Sequence, residues 1–272
     1  MSLGLISACQ ISETNKDANT ETDKEVGQTP TEPSKLTPLP LSALSLADAL
    51  GHKDRPEDDL PKDKIYKTEI MVDFMGIPPK AVILELQAED GYFTEIFSHM
   101  VGGEGLVIMQ NPQNYDGFVP PNAIDARLGT GGQRLPNVTS ITANFDRLPL
   151  PDNSVHMIIW IDGPHDLYFK PTTITSFGNP SASFDQIFRV LAPGGELIIV
   201  DNKAELGSQP SSGNLLHRID PSIVQGLAER AGFTLTQTSD ILSNPSDDLS
   251  ISVFDVADES TLDRFIHRYT KP

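Results

Sequence analysis

The chain carries 272 residues with 20 basic against 38 acidic side chains, a formal charge of −18; such a balance repels nucleic-acid phosphates and anionic membrane surfaces and argues against a nucleic-acid substrate. Its length accommodates one α/β domain with a sizeable core behind a polar front segment. A single cysteine excludes an internal disulfide and a cysteine-based zinc cluster, and no metal site is expected.

That cysteine lies in the opening stretch MSLGLISACQ, where Ile6-Ser7-Ala8-Cys9 resembles the bacterial lipobox. In that motif small residues precede a cysteine that is lipidated and becomes the new N-terminus. Residues 1–9 are read as a truncated signal with Cys9 as the lipidation site. Residues 10–43 are rich in Thr, Glu, Asp, Lys and Pro and too poor in apolar residues to fold, which makes them a tether. The expected location is the bacterial envelope or periplasm, with membrane contact only through the lipid; the cytoplasm is the alternative.

The folded part spans 44–272. Leu44 to Leu50 reads as a short helix, and Lys62 to Met75 as a second, stopped by Gly76 and Pro78-Pro79. Ala81 to Leu86 is a short, mostly apolar run, as in a strand covered on both faces. Phe93, Ile96, Phe97, Met100 and Val101 then mark one face of a helix. In a doubly wound sheet the turn between such elements faces the ligand. Of the dinucleotide pattern G-x-G-x-x-G only Gly91 is present in this turn.

Gly105 to Met109 is the next strand. Gln110 or Asn111, at its end, could bond a ribose hydroxyl through an amide oxygen, more weakly than a carboxylate would. Residues 113–136 read as an irregular segment over the crevice. Val138 to Thr142 and Val155 to Ile161 are further strands, the second central. Beyond it, His165 is the candidate general base because its ordinary pKa lies near neutrality, and Asp166 is its candidate orienting partner. Ser181 to Leu191 is a helix ended by Pro193-Gly194-Gly195 before the strand Glu196 to Val200, giving a right-handed crossover. Pro221 to Ala231 is a helix introduced by Asp220. Phe233 to Leu242 is a strand, and Asp263 to Lys271 alternates like a final edge strand.

This order of parts resembles a class I S-adenosylmethionine-dependent methyltransferase over residues 53–272. It is similar to a poorly characterised bacterial family of predicted, often exported methyltransferases. The likeness rests on E-L-x-x-x-x-G-Y-F-T at Glu85 to Thr94, P-H-D at Pro164 to Asp166 and L-A-P-G-G at Leu191 to Gly195. H-R-I-D at His217 to Asp220, A-G-F at Ala231 to Phe233 and the terminal D-R-F complete it.

The resemblance implies a doubly wound, mostly parallel seven-stranded sheet with an antiparallel C-terminal hairpin, binding S-adenosylmethionine and a small-molecule acceptor. It sets Glu85 and Gly91 near the methionine part of that cofactor, Gln110 near the ribose, and Asn144 and Phe145 near the adenine. The methyltransferase pattern has glycines where this chain has Gln87 and Glu89, and Glu89 with Asp90 adds negative charge, so weakened cofactor binding is expected. Two functions follow: methyl transfer to an unidentified acceptor, or a tethered binding module that kept the fold without the catalysis.

Overall fold

Side chains that alternate along a strand need two apolar layers to receive them. Ile83, Met157, Ile159, Ile198 and Val200 point into one layer; Leu84, Leu86, Ile158, Trp160, Leu197 and Ile199 point into the other. The computed structural model describes residues 41–113, 115, 118–120, 122–170 and 176–272. The lipobox, and the tether as far as residue 40, lie outside the described residues.

Seven strands form one sheet: β1 Val82–Leu86, β2 Leu106–Asn111, β3 Val138–Thr142, β4 Val155–Ile161, β5 Leu191–Asn202, β6 Thr234–Ser239 and β7 Arg264–Thr270. Their order is β3-β2-β1-β4-β5-β7-β6, parallel up to β5 and antiparallel at β5-β7 and β7-β6. This is the doubly wound arrangement with a C-terminal hairpin. Helices α1 Leu46–Leu50, α3 Thr68–Met75 and α4 Tyr92–Val101 cover one face, with Met71, Val72, Met75, Ile96, Phe97 and Val101 buried. On the other face, α6 Pro180–Val190 and α8 Pro221–Ala231 contribute Phe184, Ile187, Val190, Val224 and Ala228.

Three expectations need correction. The helix expected over Lys62 to Met75 is two, α2 Leu60–Ile65 and α3, because Lys67 adopts φ 46° between them. Pro193-Gly194-Gly195 lies inside β5 as an irregularity, the register passing from Val155↔Leu191 to Met157↔Glu196. The last strand is interior, not an edge: β7 sits between β5 and β6. Its polar residues suit that place because they are paired: Arg264 with Asp162, Arg268 with Glu196, and His267 with the Tyr269 hydroxyl.

The segment over the crevice contains a helix, α5 Ala123–Leu128. Its Arg127 is 5% exposed and reaches Asp59 at 2.6 Å and Glu95 at 2.8 Å. A further short helix, α7 Ser212–Leu216, ends at His217.

Candidate functional site

The turn after β1 keeps the shape a glycine-rich loop would have without the glycines. Gln87, Glu89 and Gly91 have φ 55°, 53° and 85°. Left-handed backbone costs a residue with a Cβ roughly 1–2 kcal/mol, so something must hold it. The end of β2 does. The Gln87 amide donates to Gln110 Oε1 at 3.0 Å, the Glu89 amide to Asn111 Oδ1 at 2.8 Å, and Asn111 Nδ2 donates to the Glu89 carbonyl at 2.9 Å. Gln110 Nε2 donates onward to the Ala143 carbonyl.

These bonds decide where the expected nucleoside-binding groups are spent. Gln110 has no exposed surface and Asn111 is 7% exposed, both amides engaged with the turn. Asn144 Oδ1 accepts from the Gln113 amide and its Nδ2 donates to the Ser176 carbonyl. Phe145 is fully buried, 4.7 Å from the Trp160 ring. On the methionine side, Glu85 is 4% exposed and accepts from the Thr94 hydroxyl. Burial raises its pKa to about 8, against the smaller opposing effect of that hydrogen bond. Gly91 begins α4, and a Cβ on it would meet Arg127 Cγ at 3.0 Å.

The Gln87 side chain crosses the cleft. Its Nε2 donates to the Tyr115 hydroxyl at 2.9 Å and to Asp166 Oδ2 at 2.7 Å, and the Tyr115 hydroxyl donates to Glu89 Oε1 at 3.2 Å. The residues present therefore do not fit S-adenosylmethionine in the usual cleft: its hydrogen-bonding partners are committed to protein, and a Gln87–Tyr115–Glu89 chain spans the approach. Asp90, expected to add unfavourable charge, accepts from the Tyr92 amide and from Lys62, so it also steadies the start of α4. A cavity of about 380 Å³ beside the turn is lined by Asp58, Glu85, Glu89, Asp90, Asp162 and Glu259, with Lys62 the one cation in its wall among the described residues.

Beyond β4 the chain turns through Asp162, at φ 49°, into a 3-10 turn over Pro164–Tyr168 that buries both expected catalytic residues. His165 is 4% and Asp166 6% exposed. The two are adjacent in space as well as in sequence, with His165 Nε2 3.3 Å from Asp166 Oδ1. The carboxylate that orients the ring is another one, Asp201 near the end of β5: His165 Nδ1 lies 2.7 Å from its Oδ1, and the His165 amide donates to its Oδ2 at 2.8 Å. Burial alone would lower the imidazole pKa, but the charges of Asp201 and Asp166 outweigh it and raise the value to about 9.

His217, in the left-handed conformation at φ 52°, brings its Nδ1 to 3.6 Å from Asp166 Oδ1. His165, Asp166 and His217 border a cavity of about 280 Å³ whose wall includes Gln87, Tyr115, Phe118, Phe169, Asn202 and Phe254. His165 and Asp166 lie beyond the central strand as the sequence indicated; Gln87 was expected only to crowd the turn at a glycine position, and Tyr115, Asp201 and His217 were given no role. The H-R-I-D run was the available signal for His217.

No family model matches the chain. Curated relatives include the ubiquinone/menaquinone biosynthesis C-methyltransferase UbiE of Pasteurella multocida, 29% identical over 136 residues, covering 48% of this chain and 43% of the relative. The Shewanella sediminis protein of the same description is also 29% identical over 136 residues, covering 48% and 46%. The matched region is thus less than half the length of these relatives. Among solved structures, an S-adenosylmethionine-dependent methyltransferase from Aquifex aeolicus superposes with a TM-score of 0.57 at 18% identity, covering 84% of this chain and 100% of that one. The [4+2]-cyclase SpnF superposes with a TM-score of 0.54 at 15% identity, covering 76% and 81%. The chain thus has the fold of class I S-adenosylmethionine-dependent methyltransferases and, over about half of its length, a distant sequence similarity to the UbiE C-methyltransferases.

Proposed function

We propose that this is a methyltransferase-fold protein that binds a small, largely apolar molecule in the cavity at the ends of β1, β4 and β5, and that its own side chains fill the nucleoside cleft. The observation that carries this reading is the commitment of Gln110, Asn111 and Asn144 to protein partners, together with the Gln87–Tyr115–Glu89 chain. Tyr115, Phe118, Phe169 and Phe254 supply aromatic walls suited to such a ligand.

Methyl transfer to a small-molecule acceptor is the second reading, favoured by the sequence relation to C-methyltransferases. Titration calorimetry separates the two. The first expects no saturable heat from S-adenosylmethionine at millimolar concentration, and measurable binding only after Gln87→Gly with Glu89→Gly opens the cleft. Micromolar binding by the unaltered protein would replace it with the second. A lipid anchor at Cys9, holding the domain in the bacterial envelope, belongs to either reading.

A further inference from the structure

We propose that His165, Asp166 and His217 bind a divalent first-row transition-metal ion such as Zn²⁺ or Fe²⁺ at the wall of the 280 Å³ cavity. The donor set is two imidazole nitrogens and one carboxylate oxygen, which suits these ions and leaves coordination positions for a ligand. His165 Nε2 and His217 Nδ1 lie 3.3 and 3.6 Å from Asp166 Oδ1, and the three donor atoms fall within 4.8 Å of one another. Bonds of about 2.0–2.2 Å to one tetrahedral ion require donor separations of roughly 3.2–3.6 Å.

Three independent features point the donors inward. Asp166 Oδ1 is buried without a hydrogen-bond partner among the described residues, while Oδ2 is held by Gln87 Nε2 at 2.7 Å. A buried carboxylate left half-satisfied costs free energy unless a cation or donor meets it. The His165 ring is held from behind by Asp201, which is fully buried and itself anchored by the amides of His165 and Asn202. A carboxylate behind a ligating imidazole is the usual support of a metal-bound histidine. His217 is kept in a left-handed backbone conformation between Phe169 and Phe254, whose rings lie 4.7 and 4.5 Å away. Asn202 Oδ1, also buried and without a partner among the described residues, borders the same cavity. The cavity beside the donors combines aromatic walls at Phe118, Phe169 and Phe254 with charged Glu89, Asp162, Glu259 and Arg264, so an ion there is completed by a small molecule that offers an anionic or carbonyl oxygen and carries both apolar and polar groups.

The proposal departs from the expectation of no metal, which rested on cysteine usage alone. It uses the same cavity as the proposed function but does not depend on the state of the nucleoside cleft, so the two can fail separately.

The test is calorimetric titration of Zn²⁺ into chelator-treated full-length protein, with Co²⁺ absorption as a second readout. About one equivalent should bind, with visible Co²⁺ bands. Asp166→Asn and His217→Ala should each weaken binding roughly 100-fold or more, and Asp201→Asn about 10–100-fold. His52→Ala, whose ring stacks on His99 at 4.1 Å outside this cavity, should leave it unchanged. Absence of saturable binding by the unaltered protein, or full binding by the folded Asp166→Asn and His217→Ala variants, overturns the site. If those variants do not fold, X-ray absorption of the Zn²⁺-loaded natural protein decides: imidazole scattering from two histidines supports it, and an all-oxygen shell overturns it.

Discussion

Glu85 shows how one side chain can carry both the memory of a site and a stability cost. It is the penultimate residue of β1, just before the turn, yet it is buried, and burial raises its pKa to about 8. Between its ordinary value and that figure the folded protein holds a proton the unfolded chain has released. Stability is therefore fully present at low pH, as far as this group is concerned, and declines as pH rises from about 4.5 through 8. The slope from one such site is at most about 1.4 kcal/mol per pH unit. Glu85→Gln keeps an acceptor for the Thr94 hydroxyl and removes the titration. Urea unfolding at pH 5 and pH 8 should show the variant gaining on the natural protein at the higher pH. An unchanged difference between the two would mean the carboxyl is ionised throughout.

At the scale of elements, α4, α5 and the turn before α2 are joined through charge. Arg127 of α5 donates to Asp59 and Glu95, and Arg134 also pairs with Glu95. Burial would raise the Glu95 pKa, but the nearby His99 ring, 3.7 Å away, and hydrogen bonds from Arg134 and Arg127 overcome that and hold it at about 2. Removing one partner of such a group leaves uncompensated buried charge, which costs on the order of 3–5 kcal/mol. Arg127→Ala should lose that much in equilibrium denaturation, with α5 the first element to lose amide-exchange protection. A loss below about 1 kcal/mol, the range of exposed pairs, would show that the network is solvated. The same helix explains why the span over the crevice read as irregular: α5 is only six residues long and flanked by glycines and prolines, and its order comes from Arg127 reaching partners 68 and 32 residues away.

For the whole molecule, the proposed lipid anchor at Cys9 is a question of location that the charge of −18 and the polar run behind Cys9 raise. No helix among the described residues is long and apolar enough to cross a membrane. If Cys9 carries lipid, the precursor expressed in its bacterial host should sediment with membranes, and Cys9→Ser should release it into the soluble periplasmic fraction. Recovery of both forms as soluble cytoplasmic protein would remove the anchor from the proposal.

The strands and the doubly wound class were legible in the chain because each depends on near neighbours. VHMIIWI alternates between two apolar layers whatever it packs against, and Asp220-Pro221 starts a helix by local hydrogen bonding. The position of Asp263 to Lys271 was not legible, because an alternating strand with paired polar residues reads like an edge until its partners in Asp162 and Glu196 are known. The site divides in the same way. His165 and Asp166 could be placed beyond the central strand from one short motif. The tertiary structure alone decided that Gln110 and Asn111 would support the turn instead of facing a ribose, that Asp201 would hold the His165 ring, and that His217 would arrive 51 residues later to share Asp166. Hydrogen bonds between strand ends carry no sequence period, so only the assembled sheet brings these groups together.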